Sequence, residues 1–334
     1  MFGSRPDLAR TFITRCIFAL ALAAIACALP CASAQAAYPD RPVRVILPFG
    51  PGGVADITAR LVAQSLSEKL GQNFVIENMP GAGGIAAARA VLSAPTDGYT
   101  LAFFTNGTAI SVPLFQSLPF DPLKQFVPIS ALGYFDLAFA TAANSDFHTF
   151  GDVLKTAHDK PGTINLGSIV VGSTQNLTAE LFKSTSGADI VIVPFRTSPD
   201  ELVALLRGDI QVEVEFYAAL KPSLQSGQAR ALATSGPQRS PELPDVPTVA
   251  ESGVANFDVT SWNALYAPGG TPPDIIDKLN RALREVLADP ALKKAALDLG
   301  IDAKASTPAD IDARMRSDIA KWTKVIVGAH IPQQ

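Results

Sequence analysis

Short apolar runs alternate along this chain with longer stretches whose apolar residues recur every three or four positions. The first run, Val43-Arg44-Val45-Ile46-Leu47, predicts a strand. Val54, Ile57, Leu61, Val62, Leu66 and Leu70 follow at helical spacing, and Gly71 stops the pattern. Between them lies Pro48-Phe49-Gly50-Pro51-Gly52-Gly53, so the unit is strand, glycine-rich turn, helix. Phe74-Val75-Ile76-Glu77 predicts a second strand. After it come Pro80-Gly81-Ala82-Gly83-Gly84 and a helix over 85–92 whose alanine face can lie close on a sheet. A third strand over 100–104 ends in Thr105-Asn106-Gly107-Thr108, before another short apolar segment. Strands alternating with helices imply βαβ units and a mainly parallel sheet.

The Pro- and Phe-rich stretch 114–128 reads as a surface connection, and two apolar runs follow at 127–132 and 137–142. The alternation then restarts near residue 140. Helices are expected at 150–157, at 174–184 and from Ser198-Pro199-Asp200-Glu201, which combines a cap, a first-position proline and a capping-box glutamate. Strands are expected at 164–167, 190–194, 210–216, 229–234 and 262–267. In the strand over 210–216, Glu213 and Glu215 are expected on a solvated face. Three amphipathic helices, 272–288, 290–299 and 309–327, close the chain.

The N-terminus follows a different rule. Arg5, Arg10 and Arg15 precede an apolar run over 17–29, too short to span a bilayer, and small residues follow. Residues 1–36 read as a cleaved signal peptide, cut after Ala34 or Ala36, which sends the chain to the periplasm. All three cysteines (Cys16, Cys27, Cys31) fall in this segment, and neither Cys27 nor Cys31 sits in a lipidation context. The mature chain therefore has no disulfide, thiolate nucleophile or cysteine-ligated metal. Removing residues 1–36 takes three arginines and Asp7 from the 27 basic and 31 acidic residues, leaving a formal charge of −6. That balance offers no footprint for nucleic acid or an anionic membrane. The 298 residues left suggest two domains of about 150 each.

A helix start presents unpaired N–H groups and the positive end of a dipole, and glycines let an anion approach them. The junction spanning Phe49, Gly50, Gly53, Val54 and Ala55 is thus a candidate anion seat. A tight turn without ligand is the alternative, and from the residues alone both stand. Asp56, in the first helical turn, is expected to be a capping partner. Gly81-Ala82-Gly83-Gly84-Ile85-Ala86 matches a dinucleotide fingerprint, but Asp97 falls before the third strand and not at its end, which argues against a nucleotide. The simpler use of Gly83 and Gly84 is a second helix-start anion site, with Thr105, Asn106 and Thr108 as further donors or ordinary loop caps. His148, His158 and His330 show no metal spacing, and no H-E-x-x-H, G-x-S-x-G or P-loop occurs. Neither metal nor cofactor is expected.

Several short motifs in order complete a pattern: Tyr38-Pro39-x-x-Pro42, Pro48-Phe-x-Pro-Gly-Gly53 with Asp56, Ala59-Arg60, Leu70-Gly71-Gln72, Glu77-Asn78 with Pro80-Gly-Ala-Gly-Gly84, Asp97-Gly-Tyr-Thr-Leu101, Leu243-Pro-Asp-Val-Pro-Thr248 with Glu251-Ser-Gly253, Trp262, Ala267-Pro268 and Lys321-Trp322. Together they resemble the Bug family of extracytoplasmic solute receptors, the binding proteins of tripartite tricarboxylate transporters. The resemblance implies an α/β, two-lobed periplasmic binding protein fold (type II), with two crossing strands as hinge and one lobe discontinuous. Lobe 1, anchoring a carboxylate, is placed at 37–138 and 260–334, and lobe 2, setting ligand specificity, at 139–259.

The resemblance also implies that the turn over 49–55 holds a carboxylate through backbone N–H groups. In the second lobe Ser168, Gly172, Ser173, Thr174 and Asn176 should face the cleft. The family often has a glycine-rich loop and a histidine there; this chain has Ile169-Val170-Val171 and Asn176, a more apolar wall. Arg196 can reach a distal carboxylate with a forked donor, or merely support its loop. Tyr217 stands where many members carry an acid, which favours an aliphatic or aromatic mono- or dicarboxylate over an amino acid. The partners implied are that small carboxylate and the membrane components of the transporter, with the receptor a monomer and no enzyme. The rival readings are an exported α/β enzyme acting on an organic acid and a receptor feeding a membrane sensor.

Overall fold

The computed structural model describes residues 38–52 and 54–334. The expected signal peptide and Gly53 lie outside the described residues. Arg41–Gln334 form one compact unit; of the unit before it, only residues 38–40 are described.

The chain opens with β1 (Val43–Leu47), α1 (Val54–Leu70), β2 (Phe74–Asn78), a 3-10 turn (Ala82–Gly84), α2 (Ile85–Leu92) and β3 (Thr100–Thr105). β1 pairs in parallel with both β2 and β3. All of β3 and four of the five residues of β1 are buried. Strands buried on both faces read as continuous apolar runs, which made them legible. The apolar segment after β3 is helix α3 (Asn106–Leu114), capped by a reciprocal pair between Thr105 and Thr108.

The two apolar runs at 127–132 and 137–142 belong to one 17-residue strand, β4 (Phe126–Ala142). Its partners change along its length. From Phe126 to Asp136 it pairs antiparallel with β9 (Thr260–Pro268), which also pairs with β3. From Leu137 onward it pairs antiparallel with β7 (Val212–Phe216) and β8 (Ala229–Thr234). The interruption Gly133-Tyr134-Phe135-Asp136, which splits the run in sequence, is where the strand passes from one partner set to the other.

Beyond β4 the chain builds α4 (Phe150–Asp159), β5 (Asn165–Ile169), α5 (Thr174–Ser186), β6 (Val191–Phe195), α6 (Ser198–Arg207), β7, α7 (Tyr217–Gln225) and β8. β5 pairs in parallel with β6 and β7. The strand order is β2-β1-β3-β9-β4-β7-β5-β6, with β8 also on β4. Three helices follow β9: α8 (Pro273–Val286), α9 (Pro290–Leu297) and α10 (Pro308–Gly328). Both tryptophans are fully buried and tied by their indole N–H groups. Trp262 donates to Asp318 at 2.7 Å and Trp322 to Asn106 at 2.8 Å.

One expectation is corrected. Glu213 and Glu215 are not on a solvated face; they are 1% and 3% exposed. β7 sits between β4 and β5, and helices α5 and α6 pack on it, so the alternation of acidic and apolar residues does not mark a wet side.

Candidate functional site

The glycine-rich turn is set by Asp56. Its carboxylate accepts from the Gly52 N–H at 3.0 Å, from Arg60 Nε at 3.0 Å and from Asn78 Nδ2 at 2.9 Å. The Arg60 hydrogen bond leads in holding this carboxyl down at about 2. Asn78 also donates to the Phe49 carbonyl at 2.9 Å. Asp56 thus braces the turn from inside, and the Gly52 N–H is spent on it. The first N–H groups of α1, beyond that bond, have no partner within the helix by the geometry of a helix start.

A second junction faces this one. Ser173 caps α5 by accepting from the Asn176 N–H at 3.1 Å; Asn176 Oδ1 accepts from the Gly172 N–H at 3.1 Å, and its Nδ2 donates to Ser168 Oγ at 3.4 Å. Asn106, at the start of α3, donates to Thr174 Oγ1 at 3.2 Å while accepting from Trp322. Gly172 has φ +84°, and a Cβ there would meet Leu114 Cδ2 at 2.7 Å, so only glycine lets this loop approach α3.

Between these junctions lies a cleft of about 380 Å³. Gly52, Val54 and Ile57 form one wall; Gln175, Ser198, Phe216, Ala218 and Lys221 face them, and Leu299 and Ile301 after α9 complete the lining. Most of this lining is hydrocarbon. Its polar groups gather around Glu215, whose carboxylate accepts from Gln175 Nε2 at 2.8 Å, from the Phe216 N–H at 2.6 Å and from the Ser198 hydroxyl. Lys221 donates to the Asp298 carbonyl at the rim. Among the described residues the lining holds no histidine or cysteine.

Behind Glu215 lie two more buried carboxyls. Burial, with the neighbouring Glu215 charge adding to it, pushes Glu201 up to about 10 and Glu213 to about 8. Burial also raises Glu215 itself, against the pull of its three donors. Glu201 and Glu213 therefore hold their protons at neutral pH.

Among the described residues expected at the site, Val54 is the one that lines this cleft. Phe49 is 41% exposed on the turn, with its ring near Gly107, and Gly50 is open to solvent. Ala55 is half-buried in the first turn of α1, and Gly53 is outside the described residues. Gly83 and Gly84 line a separate void of about 10 Å³ beside Pro48, room for about one water. Thr105, Asn106, Ser168, Gly172, Ser173, Thr174 and Asn176 gather at the α3–α5 seam, where their side chains or N–H groups serve the caps and cross-bonds described above. Arg196 is exposed in the loop before α6. Tyr217 turns away from the cleft into a second cavity, against Gly300. The three histidines are all exposed, and among the described residues no group of three or more His, Cys, Asp or Glu could hold a metal ion.

Sequence reasoning missed Gln175, Ser198, Glu215 and Lys221. Gln175 adjoins the flagged Thr174 and Asn176, and Ser198 reads in the sequence only as a helix cap. Glu215 was assigned to the wrong environment, and nothing local marked Lys221 or Leu299, which reach the cleft through tertiary packing.

A family profile described as tripartite tricarboxylate transporter family receptor matches residues 58–330. Protein BugT of Bordetella pertussis is 34% identical over 291 residues, covering 86% of this chain and 89% of that protein. A protein of R. palustris solved with adipate is 32% identical with a TM-score of 0.77, covering 88% of this chain and 99% of that one. MatC from Rhodopseudomonas palustris, solved with bound malate, is 30% identical with a TM-score of 0.72, covering 86% and 100%. The fold is accordingly the two-lobed periplasmic binding protein fold expected from the sequence; β4 exchanges partner sets along its length, and β9 runs antiparallel to its first part.

Proposed function

The chain belongs to the tripartite tricarboxylate transporter receptor family, and on that premise we propose that it captures a small organic carboxylate in the periplasm and delivers it to a transporter of that type. The N-terminal 36 residues act as its export signal. One lobe ends near residue 138 and resumes at 260; the other spans 139–259. The change of partners on β4 at Asp136/Leu137 and the start of β9 at Thr260 support this division.

The observation that carries the reading is the composition of the cleft. Its walls come from the glycine-rich start of α1 on one side and from β7, α5 and α7 on the other, so a ligand inside touches both lobes. One carboxylate is held by the N–H groups at the start of α1, where the helix dipole favours negative charge. The hydrocarbon body lies against Val54, Ile57, Phe216 and Leu299. A second carboxylate, where the ligand has one, meets the Lys221 ammonium at the rim. Aliphatic dicarboxylates of intermediate length suit this arrangement, as do aromatic acids. The adipate-bound relative supports the first class. The bound acid is released unchanged.

A thermal-shift screen tests the reading, with aliphatic mono- and dicarboxylates of increasing length, aromatic acids and amino acids. A true ligand at 100 times its Kd adds about 2.7 kcal/mol of stability. Failure of every acid in such a panel to shift the transition overturns the proposal, as does conversion of any of them to product.

A further inference from the structure

A second cavity, of about 240 Å³, lies on the other side of the Tyr217–Gly300 contact from the carboxylate cleft and shares no lining residue with it. It sits at the hinge, where β4 changes partners, and is roofed by the loop 237–243. Its chemistry is the reverse of the cleft's. Asp136 Oδ1, Glu242 Oε1 and Thr234 Oγ1 are buried with no hydrogen-bond partner among the described residues. Thr234 is only 1% exposed. Buried polar atoms in folded proteins nearly always have partners, because an unmade bond costs about 1–3 kcal/mol. Three such atoms belong to residues lining one cavity, so a donor group placed there would satisfy them together.

We propose that this hinge cavity is a binding site for a small organic ammonium, a primary amine on a short alkyl chain. The ammonium carries three N–H donors, one for each orphaned atom, and its positive charge lies between two carboxyl groups. Tyr134, Phe135 and Tyr217 line the cavity and supply apolar surface for the alkyl chain.

The neighbouring charges agree with a cation. Asp258 and Glu242 act on Asp136 from the negative side, and together with burial, the larger cause, they raise its carboxyl to about 6; the Thr260 hydroxyl and Arg314 pull the other way. Asp302 adds a further acid to the lining. Arg239, the one cation in the lining, is turned to Glu251 at 2.9 Å and to the Pro244 carbonyl at 3.3 Å. Gly236 is needed here, because a Cβ would come within 2.2 Å of Asp136 Oδ2. A metal ion is less suited than an ammonium: among the described residues no group of three or more acidic, His or Cys side chains is arranged to hold one.

The test is calorimetric titration of the full mature protein with 1,4-diaminobutane at pH 7.5. The expected result is saturable one-to-one binding, weakened at least tenfold by Asp136→Asn and several-fold by Thr234→Val, which removes only the hydroxyl. Should Asp136→Asn fail to fold, Glu242→Gln replaces it with the same expectation. No saturable binding means the cavity holds only water and overturns the proposal; so does an affinity unchanged in Thr234→Val and in the carboxylate variant. Calcium or sodium binding more tightly than the diamine and displacing it overturns the ammonium assignment.

Discussion

The buried carboxyls behind the cleft make the stability of this protein run against pH, and Glu213→Gln isolates one of them. In the unfolded chain Glu213 ionises near its ordinary value of 4.5; in the fold, burial and the Glu215 charge hold its proton until about pH 8. Between those values the native state binds one more proton than the unfolded state. Stability from this group is therefore undiminished below about pH 4.5 and falls as pH rises through the window, by about 1.4 kcal/mol per pH unit. At pH 7.5 the accumulated cost is about 4 kcal/mol. Glutamine keeps the shape of the protonated acid and carries no titration, so the variant's stability curve lacks that slope. Against this stands the cost of an unpaired amide donor, about 1–3 kcal/mol and independent of pH. Urea unfolding of both proteins from pH 3.5 to 8 measures the difference. The gap should move in the variant's favour by about 1.4 kcal/mol per unit between pH 5 and 7.5, and stay flat below 4.5. Parallel curves across the whole range would refute the claim that Glu213 is protonated in the fold.

Asp56→Ala removes the brace on the turn; chemical unfolding should report a loss of about 1–2 kcal/mol, and titration a weaker affinity for any carboxylate ligand. Gly172→Ala places a methyl against Leu114 at a left-handed position. It should oppose approach of the α3 and α5 junctions, and the ligand Kd should rise at least tenfold. Lys221→Met retains the hydrocarbon stem and removes the ammonium. Affinity for a dicarboxylate should fall about tenfold while that for the matching monocarboxylate stays within twofold, as read by competition titration; equal losses for both would remove Lys221 from a role at the distal end.

The sequence announced the parts of this fold that obey local rules. β1 and β3 were legible as short, mostly buried apolar runs, interrupted in β1 by the exposed Arg44; the start of α6 was legible from Pro199, although its cap is Thr197 and not Ser198, and Glu201 is buried and forms no capping box. The continuity of β4 was not legible, since Gly133 to Asp136 breaks the apolar pattern just where the strand exchanges partners. The motifs leading to the receptor family gave the fold and the broad function, yet they located the cleft only in part. Val54 lines it, whereas Ser168, Ser173 and Asn176 spend their polar atoms on capping α5. Glu215 misled because a strand of alternating acids and valines looks half-wet. The helices α5 and α6 that bury it, with Glu201 among them, are fixed by packing that no window of sequence contains. Lys221 on α7 and Leu299 in the turn after α9 come to the cleft from separate segments for the same reason.

The claim that the cleft recognises a carboxylate by its charge is tested most directly by titrating the protein with the best acid from the screen and with its primary amide, which has nearly the same shape and no charge. The account predicts that the acid binds at least tenfold more tightly, a difference of about 1.4 kcal/mol. An amide that binds as well as the acid would contradict it.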